Sequence, residues 1–210
     1  MSKFYNWKDR IKDNELDEIV DIIKQNGVIV FPTETVYGIG GNALSKNVIE
    51  KIYNIKQRPL EKALSILVKN KEEIKKYAYI SNSLEEKIID NFMPGPITII
   101  LKKRENKIQN FLTKNDDTIG IRIPNNNIVK NILEKCNLPI AAPSANISGK
   151  PSSIKLEDIK QDFEGKVDAF IDGGICKQNI PSTIVKVIDG EIKVLREGII
   201  PINVIREKIM

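Results

Sequence analysis

The feature that most constrains this chain is its alternation of short, β-branched apolar runs with segments whose apolar residues fall at helical spacing. Runs at residues 28–31, 63–68, 97–101, 118–123, 139–142, 167–171, 183–188 and 191–195 read as strands. Between them the spacing predicts helices over 14–26, 45–56, 70–77, 81–92, 126–136 and 156–161. Asp13 or Asn14 can cap the first helix and Gly27 can end it, while Ser45 caps the second and Pro59 forbids its continuation. Such alternation argues for an α/β layer fold. The last two strands, however, are joined by Asp189-Gly190, a strong signal for a tight hairpin, and a hairpin demands antiparallel pairing. The expectation is therefore a twisted, open, mixed β-sheet with flanking helices. Pro94-Gly95-Pro96 breaks the chain before the strand at 97, and the charged stretch 102–115, with little periodicity, reads as a surface excursion.

A chain of 210 residues can bury one sizeable core, so residues 1–210 are expected to form a single domain. It has no histidine. That excludes a Ser-His-Asp triad, a Cys-His pair and every His-ligated metal, leaving lysine, arginine, carboxylates, hydroxyls and backbone to carry any chemistry. Phosphoryl chemistry suits that inventory because it depends on charge neutralisation and positioning. The formal net charge of +5 suits an anionic partner such as a nucleotide or tRNA, although lysines alternating with Glu and Asp on helix faces also account for it. No apolar run is long enough to span a membrane and the first ten residues lack a signal-peptide core, so a cytoplasmic protein is expected, with Cys136 and Cys176 reduced.

Several groups stand out against this background. Lys56 and Arg58 end the second predicted helix just before a proline; a cation pair there compensates the helix dipole or grips an anion. Thr33, Glu34 and Thr35 follow directly on a strand, where α/β folds place ligands, while Val36 and Tyr37 can equally be core. Thr118 and Arg122 lie four residues apart on one predicted strand and hence on one face, and an arginine in that apolar run requires either a structural ion pair or an anionic ligand. Ser144, Asn146, Ser148 and Ser152 crowd a small-residue turn that can line a phosphate or ribose site or be a plain polar turn. Residues 38–43 satisfy G-x-G-x-x-A, but Pro32 to Tyr37 separate those glycines from the preceding strand, which argues against a dinucleotide fingerprint. There is also no G-x-x-x-x-G-K-[ST] phosphate loop.

Three blocks together, P-T-E-T-V-Y-G at 32–38, Lys56-x-Arg58, and P-S-A-N-x-S-G at 143–149, make the chain resemble the Sua5/YrdC/YwlC family. The resemblance implies a YrdC-like fold and synthesis of L-threonylcarbamoyl-AMP, with release of pyrophosphate, from L-threonine, bicarbonate or CO2, and ATP. The product would serve N6-threonylcarbamoyladenosine modification of tRNA, delivered directly or through a threonylcarbamoyl transferase complex, with Mg2+ accompanying the nucleotide. By the same resemblance Lys56, Arg58, Ser144 and Asn146 form the catalytic set. Thr33, Thr35, Arg122, Ala142 and Ser182 would contact threonine, and Arg58, Lys62, Thr118, Ser144, Ser152 and Arg196 would contact ATP. The chain departs from the family in carrying Lys62 and Ala63 where Asn and Pro are frequent, and Leu67 where some members have His. A non-catalytic RNA binder of the same fold, and an enzyme making a carbamoyl-adenylate of another amine, are the alternatives.

Overall fold

The structure, a computed structural model, describes residues 1–209. Each strand is placed by which of its faces is apolar. In β2 (Ile29–Phe31) every residue is buried, and the run from Val28 splits evenly. Val28 and Val30 join the larger core cluster on one side of the sheet, Ile29 and Phe31 the smaller cluster on the other. A continuous apolar run of this kind is what a strand covered on both faces needs. β2 lies between β3 (Gly38–Asn42), antiparallel, and β8 (Ala169–Asp172), parallel, with β1 (Lys3–Asn6) at the edge beyond β8.

From β3 the sheet continues through β7 (Ile140–Ala141), β4 (Ile66–Leu67), β6 (Thr118–Arg122) and β5 (Ile97–Lys102) to β9 (Thr183–Ile188) and β10 (Glu191–Arg196). Parallel and antiparallel neighbours alternate irregularly along these strands, giving one mixed sheet of ten. Its last pair is the expected hairpin, with φ of 51° at Asp189 and 76° at Gly190, the two left-handed positions a type I′ turn requires.

The helices divide unequally between the two faces. α1 (Asp13–Lys24) and α6 (Asn127–Cys136) share the smaller cluster. The larger cluster takes α2 (Lys46–Lys56), α3 (Lys71–Tyr77), α4 (Ser83–Phe92), α5 (Asn110–Thr113), α7 (Glu157–Phe163) and α8 (Ile202–Ile209). α1 and α6 lie over the β1-to-β7 half of the sheet. On the β6-β5-β9 half, one face packs Ile97, Ile99, Leu101, Ile119, Ile121 and Val185 against the helices, and among the described residues the opposite face carries no helix. No helix among the described residues is long and apolar enough to cross a membrane.

Several local expectations are corrected. Residues 38–42, given no element in the sequence reading, form a strand: Gly40 and Gly41 sit where a Cβ would strike the Ala141 and Gly27 carbonyl oxygens, so only glycine fits β3 there. α1 ends through Asn26, at φ 63°, one residue before Gly27. Ser45 precedes α2 without a side-chain cap, whereas Asn70, Asn82 and Asn126 do cap their helices. The strand expected over 63–68 shortens to Ile66–Leu67. The excursion at 102–115 is anchored by buried Ile108 and Leu112 and contains α5, while β1 and α8 were not expected at all. Cys136 and Cys176 are both buried and free.

Candidate active site on the open face of the sheet

The uncovered half of the sheet builds a cavity by simple alternation. On β6, Ile119 and Ile121 point into the core, so Gly120 and Arg122 point out of it; on β5 the outward positions are Thr98 and Ile100, and around β9 Ser182 and Ile184. Register holds these together, pairing Ile100 with Gly120, Thr98 with Ile184 and Leu67 with Arg122. They form the floor of a cavity of about 200 Å3. Gly120 keeps the floor flat, since a Cβ there would lie 3.1 Å from both Ile100 Cδ1 and Ser65 Cβ. Beyond Gly120 the same face continues to the Lys102–Thr118 pair and to Lys186, opposite Ile100.

Two turns form the walls. The first follows β2, where the Thr33 hydroxyl donates to the Val36 carbonyl (2.7 Å) and accepts from the Thr35 and Val36 amides (3.1 and 3.3 Å), making a rigid knot. Its Oγ1 also lies 2.9 Å from Thr35 Oγ1. Thr35 Oγ1 in turn accepts from Arg122 Nη1 and Nη2 at 3.3 and 3.2 Å. Arg122 is buried, donates from Nε to the Gly95 carbonyl at 3.1 Å, and forms an ion pair with Glu34 at 2.7 Å. The structural ion pair of the sequence reading is therefore present, and the arginine also lines the cavity.

The second turn, 142–148, runs beside the first, with Ile39 N donating to the Pro143 carbonyl and Ala145 N to the Tyr37 carbonyl. Ser144 Oγ donates to Asn146 Oδ1 at 2.5 Å, and Asn146 Nδ2 donates to the Ile147 and Lys150 carbonyls. Beneath it lies Lys56, only 1% exposed. Its ammonium donates to the carbonyls of Ser144 (2.6 Å) and Asn146 (2.5 Å), and its own carbonyl accepts from Ser148 N. Burial, and secondarily Arg58, push the Lys56 ammonium down to about 8. Lys56 thus braces the turn from below and does not itself line the cavity.

Arg58 does line it. The helix stops at Lys56 because Gln57 turns left-handed at φ 51°, and Arg58 swings back to donate to the Lys62 carbonyl (3.0 Å) and the Ala63 carbonyl (2.9 Å). Arg196, from β10, donates to the Ser182 carbonyl (2.7 Å from Nη2) and hydroxyl (3.0 Å). Partial burial, then Arg122 and Arg58, lower its pKa from the ordinary arginine value. Three guanidiniums therefore share one cavity, and such a wall attracts anions.

Of the sequence candidates, Thr33, Thr35, Arg58, Arg122, Ala142, Ser144, Ser182 and Arg196 line this one cavity. Asn146 and Ser152 line a separate depression, and exposed Lys62 lines neither, its carbonyl accepting from Arg58 and from the Tyr53 hydroxyl at 2.5 Å. Thr118 does not line the cavity but lies beyond it on the same face of β6, its hydroxyl donating to Asp116 at 2.8 Å. Sequence reasoning missed Ser65, Thr98, Ile100, Gly120, Pro181 and Ile184 as cavity residues. Nearby, outside the cavity lining, the Lys114 ammonium stands 4.0 Å from the Tyr53 ring centroid, and burial and Arg58 lower its pKa.

Residues 21–198 match the family model Sua5/yciO/yrdC, which carries the description telomere recombination. A Methanocaldococcus jannaschii protein is 45% identical over 197 residues, 92% of each chain. The Pyrococcus abyssi threonylcarbamoyl-AMP synthase is 34% identical across the whole of this chain, which spans 61% of that protein's length. The crystal structure of P. abyssi Sua5 complexed with L-threonine superposes with a TM-score of 0.95, covering 99% of this chain and 61% of that one. Escherichia coli YciO is 29% identical, with a TM-score of 0.89 and full coverage of both chains. This chain belongs to the Sua5/yciO/yrdC family.

Proposed function

We propose that this protein is an L-threonylcarbamoyladenylate synthase, a nucleotidyltransferase that joins L-threonine, CO2 or bicarbonate, and ATP into threonylcarbamoyl-AMP and pyrophosphate. The observation that carries the proposal is the convergence of three guanidiniums and two hydroxyl-rich turns on one cavity of the open sheet face. The close similarity to a synthase solved with L-threonine supports it.

In this reading the amino acid lies over β6, its carboxylate on Arg122 and its hydroxyl and methyl among Thr33, Thr35, Ala142 and Ser182. The threonine ammonium first loses a proton to solvent, and the free amine adds to CO2 and releases a second proton to give a carbamate. A carbamate oxygen then attacks the α-phosphorus of ATP, the bond from that phosphorus to the α,β-bridging oxygen breaks, and pyrophosphate leaves with that oxygen. Arg58 and Arg196 stabilise the charge that grows on the leaving group, and the Ser144 hydroxyl and the backbone of its turn hold the reacting phosphate. Lys56 keeps that turn in place, while Asn146, Ser152, Lys62 and Thr118 surround the nucleoside and outer phosphates. No protein nucleophile is required, which agrees with a chain that has no histidine.

A resident metal does not fit these residues. Among the described residues no group of three or more His, Cys, Asp or Glu could hold an ion, and Glu34, beside the cavity, is bonded to Arg122. Mg2+ therefore belongs with ATP as part of that substrate, and no step is routed through a protein-held ion. The chain is read as one working domain in the cytoplasm, delivering a labile adenylate to tRNA, directly or through a transferase complex.

The test is a mass-spectrometric product assay. An adenylate of threonine mass should form only when threonine, bicarbonate and ATP are all present, and Arg58→Ala or Arg196→Ala should each cut its rate about a hundredfold or more while the melting temperature holds. Salt-sensitive RNA binding without turnover would overturn the proposal in favour of a binding module. Serine in place of threonine should react more weakly, since one methyl discriminates by only about 10–200-fold.

A further inference from the structure

The three guanidiniums of the cavity are not electrically alike. Arg122 has a carboxylate, Glu34, at 2.7 Å with both side chains buried; neither Arg58 nor Arg196 has a carboxylate within ion-pair distance among the described residues. Both use their donors on uncharged acceptors, backbone carbonyls and, for Arg196, the Ser182 hydroxyl as well. We propose that Glu34 sorts the two substrates: it cancels the charge of Arg122 so that the amino-acid end of the cavity is neutral, and leaves the Arg58–Arg196 end cationic for the polyphosphate. This rests on the substrate assignment above.

Glu34 is built into position. Its Oε1 accepts from Arg122 Nη2 and also from the Asn125 amide at 3.0 Å, and its carbonyl accepts from Gln178 N at 3.1 Å. Its other oxygen, Oε2, is buried with no partner. Glu34 lies outside the cavity wall, opening with Gln178 on a groove behind the turn, so it acts through Arg122 and not on substrate. For a buried pair a carboxylate 2.7 Å away dominates what Arg122 presents. A paired arginine can still orient a zwitterion, which brings its own ammonium, but gives little attraction to a free dianion. An unpaired Arg122 would make all three guanidiniums one continuous anion site, and phosphate or the nucleotide would invade the place of the amino acid. A purely structural ion pair would satisfy Arg122 equally well but would not alter this selectivity.

Equilibrium binding with inorganic phosphate as the probe separates the two. In the wild type, phosphate should compete with ATP and leave threonine affinity within about twofold. Glu34→Gln keeps an acceptor for Arg122 and Asn125 while removing the charge, and there phosphate should displace threonine competitively, weakening its apparent affinity about tenfold at a phosphate concentration that leaves the wild type within about twofold. Glu34→Asp, which restores the charge, should return toward wild-type behaviour. A folded Glu34→Gln protein with unchanged phosphate competition overturns the proposal. So does phosphate displacing threonine from the wild type, whether or not the variant folds. Threonine that fails to bind the wild type overturns the substrate assignment as well, whereas threonine bound and displaced by phosphate leaves that assignment standing and removes only the sorting.

Discussion

The two halves of the sheet are made from similar residues and do different work because they are covered differently. Around β2 and β8, helices pack on both faces, and each strand residue enters one cluster or the other: Ala169 and Ile171 go with Ile29 and Phe31, Phe170 with Val28 and Val30. Around β6, β5 and β9 only one face is covered, and the strands alternate: Ile119 and Ile121 inward, Gly120 and Arg122 outward. One half spends both faces on stability. The other holds a binding floor against a core supplied by its opposite face. The cavity is thus a missing helix layer, and its residues need to satisfy polar contacts and ligand shape more than packing.

Two substitutions test this division. Ile23→Ala, at a fully buried position of α1 in the doubly covered half, should cost about 3–4 kcal/mol of unfolding free energy. Denaturant titration measures it, and the Michaelis constants of the folded fraction should be unchanged. Gly120→Val, on the open floor, should reverse the pattern. The added methyls have only Ile100, Ser65 and Thr98 or the cavity itself to enter, so adenylate formation should fall about a hundredfold, close to 2.7 kcal/mol in the barrier, with a smaller change in stability. Loss of stability without loss of activity at Gly120, or the converse at Ile23, would break the comparison.

The same contrast explains what could be read in the sequence. The uninterrupted apolar run Val28-Ile29-Val30-Phe31 announces a strand buried on both faces, and Ile119-x-Ile121-x-Ile123 announces one buried on a single face. Thr118 and Arg122 were placed on one face by that alternation, and extending it would have added Gly120 and, on the neighbouring strand, Thr98 and Ile100. α8 was also legible, in the spacing of Ile202, Ile205 and Ile209. β3 was not: Gly38-Ile39-Gly40-Gly41-Asn42 has poor strand propensity, and it is a strand because it pairs with β2 and β7 where the Ala141 and Gly27 carbonyls leave room only for glycine at 40 and 41. The Glu34–Arg122 pair, 88 positions apart in sequence, depends on the turn after β2 meeting the end of β6, which no local pattern encodes.

Lys56 lies below the 142–148 turn that walls the cavity, and it gives the smallest and most specific test. A lysine ammonium held at about 8, against an ordinary 10.5, is a charge the fold tolerates at a cost. The sign follows from proton counting. Below pH 8 both folded and unfolded chains carry the proton and the penalty is constant. Between about pH 8 and 10.5 the unfolded chain holds the proton and the folded one releases it, so stability contributed by this group rises with pH. The neutral amine keeps two N–H groups, enough for the Ser144 and Asn146 carbonyls, so losing the proton need not undo the brace. Lys56→Met removes the titration and both hydrogen bonds, and the protein should be less stable than the wild type at every pH. The gap between the two should widen by about 2 kcal/mol from pH 7.5 to pH 10, because titrations elsewhere cancel in the difference. ATP adds negative charge above the turn and should restore the proton: binding at pH 8.5 should take up a fraction of a proton, seen as a dependence of calorimetric heat on buffer ionisation enthalpy, and Lys56→Met should abolish that uptake. A gap independent of pH, with no proton taken up, would mean that Lys56 senses neither its burial nor the polyphosphate, and that the braced turn is electrostatically isolated from the open face.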